Sequence, residues 1–249
     1  MPASAPARPT LFISDLHLAP NRPRIASLFF AFMANEAHAA AALYILGDLF
    51  EYWIGDEDLG DPFNRSVADA IAGVTAAGVP VHVMHGNRDF LIGTEFARAT
   101  GASLLQDPTR VDLHGTPTLL MHGDTLCTDD VEYMKFRAMV RNPAFVANFL
   151  SKTVAERRAF AAGLREKSDA AKEGKAMAIM DVNAQAVAAA LRAHGYPRLI
   201  HGHTHRPARH EHEVDGHRCE RYVLADWYES GAYLTCDASG VRSVALAAD

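Results

Sequence analysis

The sequence contains little cysteine, with only three residues in a chain of 249. They stand at Cys127, Cys219 and Cys236, so no two are close enough in sequence to form a short metal-binding motif. An odd, scattered set of thiols argues against a disulfide framework and against a zinc site built from cysteine. Such sparing use of cysteine is typical of proteins that work in a reducing cytosol.

The chain also lacks a long apolar run and an excess of positive charge. No stretch approaches the roughly 18 consecutive apolar residues of a membrane-spanning helix. The formal net charge is -6, which argues against a general nucleic-acid-binding protein. Hydrophobic residues make up 49% and charged residues 22% of the chain, so the composition is that of an ordinary globular protein. The length favours one domain, or one domain with an elaboration.

Metal-binding side chains, by contrast, are plentiful, and 13 residues are histidine. Five apolar runs that we predict to be strands each end beside a Gly or Ser and carry side chains there that bind metals. These side chains are Asp15 and His17, Asp48, Asn87, His122, and His203 and His205. Ligands of open α/β sheets lie beyond the carboxyl ends of the strands, which is where this pattern places all seven.

Each of these segments is weak by itself, because an Asp or His at a strand end more often belongs to an ordinary turn. Residues two apart in an extended segment point the same way, so Asp15 with His17, and His203 with His205, can each bind one ion. Together the seven form a set of oxygen and nitrogen ligands without thiolate. Such a set suits a pair of Mn, Fe or Zn ions bridged by one carboxylate, which we assign to Asp48.

The turn after the third strand carries a second kind of chemistry. Asn87 offers a neutral oxygen ligand, and Arg88 offers a planar fork that matches phosphate. Asp89 could orient that arginine. The alternative is an ordinary Asn turn with a surface ion pair.

The segment after Asp48 is ambiguous. Tyr52 and Trp53 could line a pocket or could equally fill the junction between helix and sheet. We predict that Asp56 and Asp58 are solvated loop charges.

From Asp129 to about Lys175 the strand signals vanish and helical ones take over, including a capping box from Thr153 to Glu156. This segment holds ten Lys and Arg against seven Asp and Glu. A basic insert in an acidic protein favours an anionic partner, either a phosphorylated substrate or an anionic lipid surface. Its apolar residues, which include Phe136 and Phe149, are expected to pack the insert onto the body. The alternative is an apolar groove for a lipid substrate.

These blocks resemble the calcineurin-like metallophosphoesterase superfamily. Its pattern of D-x-H, G-D, G-N-[HR]-[DE], a later histidine and G-H-x-H occurs here in order, from Asp15 to His205. Longer stretches are similar to the branch that acts on UDP-2,3-diacylglucosamine. They are Gly47–Asp56, Gly86–Gly93, Met121–Asp130 and His201–Pro207.

The resemblance implies an α/β fold of the four-layer α+β type, with two packed mixed β-sheets flanked by helices. It implies a single metallophosphoesterase domain over 1–249, with a helical cap insertion at about 129–180. The implied reaction is water attack at the α-phosphorus of UDP-2,3-diacylglucosamine. The products would be UMP and 2,3-diacylglucosamine 1-phosphate, in lipid A biosynthesis.

The resemblance also implies the cofactors and the residue roles. Of two Mn²⁺ ions, one would bind Asp15, His17, Asp48 and His205, and the other Asp48, Asn87, His122 and His203. The implied catalytic residues are Asp48, Asn87, Arg88 and His203. The implied substrate contacts are Asn87, Arg88, Asp130, Ser168, Lys172, Lys175 and His203. Lys172 departs from the family, which usually has Asn at that position, although a lysine could still reach a phosphate.

Finally, the resemblance implies a monomer that touches the cytoplasmic face of the inner membrane peripherally and binds no nucleic acid. An alternative is a phosphoesterase for cyclic nucleotides or dinucleoside polyphosphates, although the apolar, basic cap argues against a small soluble substrate. Another is a metal-free binding scaffold, although a scaffold need not keep all seven ligands.

Overall fold

A computed structural model describes residues 8–173 and 181–246, with side chains omitted for 165–173. The strands are β1 (Thr10–Ile13), β2 (Ala42–Leu46), β3 (Val81–Met84), β4 (Ser103–Leu105), β5 (Thr109–Leu113), β6 (Thr116–Met121), β7 (Arg198–His201), β8 (Ala208–Val214), β9 (His217–Val223), β10 (Ala232–Asp237) and β11 (Gly240–Ala245). The helices are α1 (Pro23–Phe32), α2 (Pro62–Ala76), α3 (Thr94–Thr100), α4 (Val131–Val140), α5 (Pro143–Leu150), α6 (Val154–Glu173) and α7 (Ala184–Ala193).

The strands form two mixed sheets. The first has the order β11-β10-β1-β2-β3-β4, in which β1 to β4 are parallel and β10 pairs antiparallel with both β1 and β11. The second has the order β5-β6-β7-β9-β8, with a parallel centre and antiparallel strands at both edges.

The alternation of side chains along each central strand explains the layers. In β1, Leu11 and Ile13 pack with α1, α2 and α3, whereas Phe12 points into the apolar core between the two sheets. In β6, Leu120 faces that shared core and Leu119 packs with α7 on the far side. Each sheet is therefore apolar on both faces, and the layers run helix, sheet, sheet, helix. This confirms the fold class expected from the sequence.

Parallel strands bring the ligand-bearing loops to one edge of the paired sheets. Neighbouring loops are joined directly by backbone hydrogen bonds. Asp15 N donates to the Gly47 carbonyl (3.0 Å), His17 N to the Asp48 carbonyl (3.0 Å), and Gly202 N to the His122 carbonyl (2.9 Å). The end of β1 is thus held in register with that of β2, and the end of β6 with that of β7.

Helices α4, α5 and α6 cover this edge. The predicted capping box is present at the start of α6, where the Glu156 carboxylate accepts from Thr153 N (2.8 Å) and Glu156 N donates to Thr153 Oγ1 (3.3 Å). Among the helices within 8–173 and 181–246, none combines the length and the apolar character needed to cross a membrane.

Candidate active site

The structure brings all seven predicted ligands together at the sheet edge. Asp15, His17 and His205 place potential ligand atoms within 4.8 Å of one another, and so do Asp15, Asp48 and His122. The remaining two complete the group. Asn87 Oδ1 lies 3.1 Å from His122 Nε2, and the His203 ring is centred 5.0 Å from the His122 ring.

Asp48 stands between the two groups of histidines. Its Oδ2 lies 3.8 Å from His17 Nε2, and its Oδ1 lies 3.9 Å from His122 Nε2. The carboxylate is buried, so both oxygens face protein groups. This is the position that a bridging ligand would need, and the bridging role stays a prediction.

Five of the seven side chains sit on left-handed backbone. The φ angles are +56° at Asp15, +49° at His17, +52° at Asp48, +68° at His203 and +55° at His205. Non-glycine residues adopt this region rarely, and where they do so the strain is usually imposed by surrounding structure at a functional site. The clustering of strained residues supports a functional role for this edge independently of the residue types.

One oxygen of Asp15 is fixed and the other is not. Its Oδ2 accepts from Ser14 Oγ (2.6 Å) and from His203 N (2.8 Å). Its Oδ1 is buried without a hydrogen-bond partner, 3.3 Å from His205 Nε2. Gly202 permits this arrangement, because a Cβ there would overlap the Asp15 carboxylate and Ser14 Oγ.

The loops that carry Asp48 and Asn87 are joined by Asp89. This buried carboxylate accepts from Leu49 N (2.8 Å), Gly86 N (2.8 Å) and Asp48 N (3.3 Å). The interpretation that Asp89 orients Arg88 is therefore wrong, because its oxygens are taken up by backbone amides.

Glu51, which the sequence did not single out, lies beside Arg88 instead. Its Oε1 is 3.8 Å from Arg88 Nη1, and its Oε2 is 3.7 Å from His17 Nδ1. Arg88 itself is anchored through its backbone N, which donates to Asp48 Oδ1 (2.8 Å). One carboxylate is thus shared between a predicted ligand and the predicted phosphate-binding arginine.

The environment of His122 favours positive charge. Because a carbonyl oxygen only accepts, His122 Nδ1 donates to Leu46 O (2.8 Å), which leaves Nε2 directed toward Asn87 and Asp48. Burial opposes a charged ring, but the carboxylates of Asp48, Asp15 and Asp124 raise the pKa of His122 to about 9. Desolvation in the same site raises the pKa of Asp48 to about 7.

These features fit a divalent cation. Asp15 Oδ1 and both ring nitrogens of His17 are buried without hydrogen-bond partners, which is costly unless something else binds them. His122 Nε2 and Asn87 Oδ1 lie 3.1 Å apart, so both potential ligand atoms are close enough to contact one cation. The donors are oxygen and nitrogen atoms only, which suits Mn, Fe or Zn.

Asp56 and Asp58 are not solvated, contrary to the prediction. Asp56 accepts from Gly93 N (2.9 Å), from Glu95 N (2.9 Å) and from Trp53 Nε1 (3.2 Å), so it caps the start of α3. Asp58 is fully buried and accepts from the backbone N of Ile54 (3.0 Å).

The two aromatic residues in this loop differ. Trp53 is buried against Phe50 and Phe96, with ring centroids 4.7 and 5.4 Å away. Tyr52 is 41% exposed. Both also border the main cavity. Trp53 thus fills the junction between helix and sheet and lines the pocket, so both interpretations of this residue hold.

The ligands open into a cavity of about 950 Å³ between the sheet edge and the covering helices. Its floor includes His17, Asp48, Asn87, Arg88 and His203. Its far end is lined by apolar side chains of the helices, namely Phe136, Val140, Phe145, Val146, Phe149 and Phe160. The apolar stripe therefore lines a groove, which is the alternative to its packing the insert onto the body.

Several basic residues of α4 to α6 fasten the helices to the body. Arg157 is buried and donates to the Ile54 carbonyl (2.7 Å) and to Glu57 (2.9 Å). Arg137 donates to Asp124 (2.6 Å), and Arg158 donates to the buried Asp58 (3.1 Å). Arg141 donates to the Gly86 carbonyl (2.8 Å), beside Asn87. These four arginines account for part of the basic excess of the segment, and they attach the helices to the body of the protein.

Asp124 is the second residue that sequence reasoning missed. It is fully buried below the cavity and accepts from Tyr133 Oη (2.7 Å) as well as from Arg137. The Tyr133 ring is in turn centred 5.9 Å from the ring of His203. Asp124 therefore links α4 to the ligand loops, and its place directly after the His122-Gly123 strand end was the available signal.

Of the remaining predicted substrate contacts, Asp130 lines the cavity and accepts from Tyr133 N (3.1 Å) at the start of α4. Ser168, Lys172 and Lys175 lie outside the residues whose side chains are described. Their predicted roles stay predictions.

Comparison with known proteins agrees with this site. The calcineurin-like phosphoesterase family model matches residues 8–207. The chain belongs to the calcineurin-like phosphoesterases. The matched region of this phosphoesterase contains all seven predicted ligands and α4 to α7. The strands β8 to β11 follow it and complete the two sheets.

Curated relatives cover nearly the full length of the chain. A UDP-2,3-diacylglucosamine hydrolase of Aromatoleum aromaticum is 53% identical over 230 residues, which is 92% of this chain and 94% of the relative. The proteins of the same name from Marinobacter nauticus and Stenotrophomonas maltophilia are 52% and 51% identical, over 95% and 93% of this chain and 96% of each relative. The phosphoesterase therefore falls among the relatives that bear this name.

Proposed function

We propose that this phosphoesterase hydrolyses the pyrophosphate bond of UDP-2,3-diacylglucosamine in lipid A biosynthesis. Water attacks the α-phosphorus, and the products are UMP and 2,3-diacylglucosamine 1-phosphate. The main support for this proposal is the cavity, which has predicted metal ligands and an arginine at one end and an apolar groove at the other. A substrate with phosphates at one end and acyl chains at the other needs both surfaces. The names of the relatives support the same substrate.

The seven side chains would hold two divalent cations, which we propose are Mn²⁺. One set is Asp15, His17, Asp48 and His205, and the other is Asp48, Asn87, His122 and His203. When bound, such a pair supplies Lewis-acid chemistry that activates water and offsets negative charge on phosphoryl oxygens.

The chain's own residues would orient the phosphates. Arg88 lines the cavity at its polar end, where a planar guanidinium can bind two phosphoryl oxygens and stabilise the charge that develops on them. An arginine stays protonated at any working pH, so Arg88 would not act as a general acid. Asn87 and His203 would complete the contacts around the reacting phosphate, beside the carboxylate of Asp48.

The groove would hold the acyl chains. Phe145, Phe149 and Phe160 lie close together there, with ring centroids 5.4 to 6.3 Å apart. Burying acyl carbons against them would contribute about 0.8 kcal/mol per CH₂ group. Asp130, Ser168, Lys172 and Lys175 would bind the sugar-phosphate, a role that the family resemblance supports.

The helices α4 to α6 lie within the predicted cap insertion at about 129–180 of a single domain. A lipid substrate would be reached at a membrane surface, so we propose that the protein works as a monomer at the cytoplasmic face of the inner membrane. The attachment would be peripheral. The net charge of -6 supports the absence of a nucleic-acid partner.

The test is to incubate the purified protein with Mn²⁺ and UDP-2,3-diacylglucosamine and to measure UMP and 2,3-diacylglucosamine 1-phosphate. We expect both products in equal amounts, and none after EDTA treatment. Water labelled with ¹⁸O should deliver the label to UMP, because attack is at the α-phosphorus. Absence of UMP, or full activity in EDTA, would overturn the proposal.

A further inference from the structure

Arg22 joins two loops that support the site. At the start of α1, its Nη1 donates to the carbonyl oxygens of His17 (2.9 Å) and Leu16 (3.2 Å). Its Nη2 donates to the carbonyls of Trp227 (2.7 Å) and Tyr228 (3.2 Å). One planar fork therefore ties the end of β1 to a segment more than 200 residues away.

That segment is itself firmly placed. Trp227 is fully buried, and its Nε1 donates to the Ala232 carbonyl (2.9 Å). Its backbone N donates to the Asp15 carbonyl (3.0 Å). The residue that follows, Tyr228, is thus held on a fixed support beside the ligand loops.

The ring of Tyr228 lies against one half of the ligand set. It is centred 5.3 Å from the ring of His17 and 5.4 Å from the ring of His205. The guanidinium carbon of Arg22 lies 4.6 Å from the same ring, in the range of a cation–π contact. Arg22 therefore supports His17 in two ways. It donates to the backbone carbonyl of His17, and it contacts Tyr228, whose ring lies against the His17 ring.

The two halves of the centre are oriented by different means. The ring of His122 is fixed by its hydrogen bond to Leu46 O. Neither ring nitrogen of His17 makes a hydrogen bond, and its backbone is left-handed with φ +49°. The direction in which His17 points therefore depends on the groups around its ring. These are the carboxylates of Glu51 and Asp48 and the ring of Tyr228, which Arg22 contacts in turn.

We propose that Arg22 and Tyr228 are positioning residues for one half of the metal centre. They hold His17 and His205, so they govern the cation bound by Asp15, Asp48, His17 and His205. The cation bound through Asn87, His122 and His203 does not depend on them. The inference rests on the two-cation centre of the proposed function, but it is independent of the substrate.

The test is a Mn²⁺ titration of metal-free protein, with free Mn²⁺ measured by electron paramagnetic resonance. In Arg22→Gln we expect the dissociation constant of one ion to rise about 10-fold or more, as is typical when a group supporting a ligand is lost. The other ion should bind within about twofold of its original affinity. Arg22→Lys keeps the charge without the fork and should behave like Arg22→Gln. Arg24→Gln, on the exposed side of the same helix, is the matched control.

Two backgrounds identify which ion is affected. His122→Ala leaves the set with His17 and His205, and there Arg22→Gln should weaken the remaining ion. His205→Ala leaves the other set, and there the same change should have no effect. Equal effects in both backgrounds, unchanged binding of both ions, or full binding in Arg22→Lys would overturn the proposal. Tyr228→Leu, at a 44% exposed position, provides the same test if Arg22→Gln does not fold.

If the unmodified protein binds no Mn²⁺, the metal centre of the proposed function fails, and this inference fails with it. If it binds two ions and the variants affect both alike, only the positioning role is lost. The two failures therefore give different titration curves.

Discussion

The ligand loops and the helices that cover them are held by different kinds of contact. In the loops, buried carboxylates accept from backbone amides, and Asp89 alone joins four amides from two loops. The helices α4 to α6 are joined to the body largely through long side chains, such as Arg137, Arg157 and Arg158. In the loops one short, buried side chain thus supports several backbone groups at once, whereas the arginine contacts of the helices can be removed one at a time.

This difference suggests that reaction chemistry and substrate selection can be separated. The loops hold the groups that we propose act on phosphate, and the helices contribute the apolar groove. A change in the loops should affect every phosphodiester, whereas a change in the groove should affect only acylated substrates. The predictions below test that separation, beginning with the largest expected effect.

Replacing Asp48 with alanine should abolish activity on all substrates. Asp48 faces histidines of both predicted ligand groups. Loss of a group that only supports a metal ligand lowers activity by up to about 100-fold, so loss of Asp48 itself should lower kcat by at least about 100-fold. UMP release and hydrolysis of bis(p-nitrophenyl) phosphate should fall together. Asp69→Ala, an exposed aspartate on α2, is the control, and appreciable activity in Asp48→Ala would contradict the bridging role.

Arg88→Lys should also lower activity on both substrates, but less. Lysine keeps the charge and loses the planar fork, so we expect kcat/KM to fall on the order of 10- to 100-fold, below the loss for removing a complete oxyanion donor. Mn²⁺ affinity should stay unchanged, since the side chain is not a predicted ligand. Arg98→Lys, on the exposed surface of α3, is the matched control, and a selective loss of Mn²⁺ binding would count against this assignment.

Phe149→Ala should separate the two regions most clearly. We expect KM for UDP-2,3-diacylglucosamine to rise about tenfold, because the variant loses apolar contact with the acyl chains. A tenfold change corresponds to the free energy of burying fewer than two CH₂ groups. Hydrolysis of bis(p-nitrophenyl) phosphate should not change. Leu150→Ala, next in sequence and 39% exposed, controls for truncation on the same helix. Equal losses on both substrates would show that the groove and the ligand loops are not separable.

Arg157→Met should loosen α6 without disturbing the ligands. The change leaves the Ile54 carbonyl without its donor, at a local cost of about 1–3 kcal/mol. We expect faster limited proteolysis within α6 and a several-fold rise in KM for the acylated substrate. Lys152→Met, at an exposed position before α6, should do neither. Unchanged protease sensitivity would mean that other contacts suffice to fasten the helix.

Cys127 should be nearly inert to thiol reagents. Burial, with a further contribution from Asp124, raises the pKa of its thiol to about 12. A raised pKa keeps the neutral thiol at pH 8 to 9, where a free cysteine would already be substantially ionised. Alkylation followed by mass spectrometry should therefore show little modification at Cys127 until the pH approaches 12 or the protein unfolds. Rapid labelling at pH 8 would contradict this.

The placement of the seven predicted ligands was the most predictable part of the molecule, because each follows a short apolar run at a strand end. The structure places Asp15, Asp48, Asn87, His122 and His203 after β1, β2, β3, β6 and β7 in turn. Strand position and side-chain type are both local properties, so the sequence could reveal them. The three-residue strand β4 was missed, because it is too short to show any alternation.

The supporting carboxylates were misjudged for a physical reason. An aspartate in a loop is normally solvated, and it becomes buried only when several amides converge on it. For Asp89, all of those amides except that of Gly86 belong to residues about 40 positions earlier in the chain. Arg157 similarly pairs with Glu57, 100 residues away. The periodicity of the sequence carries no information about contacts between residues so far apart in the chain. The attachment of α4 to α6 to the body could therefore not be predicted.

The left-handed backbone at five ligand positions also limits how the site could change over generations. Aspartate, asparagine, histidine and glycine enter that conformation most easily, whereas valine, isoleucine and threonine are strongly disfavoured. A single-base change of Asp15 to valine would thus remove a predicted ligand and disfavour the turn that carries it. The descendants of such a chain would have few viable single steps at these positions, so the centre is expected to persist even where α4 to α6 diverge.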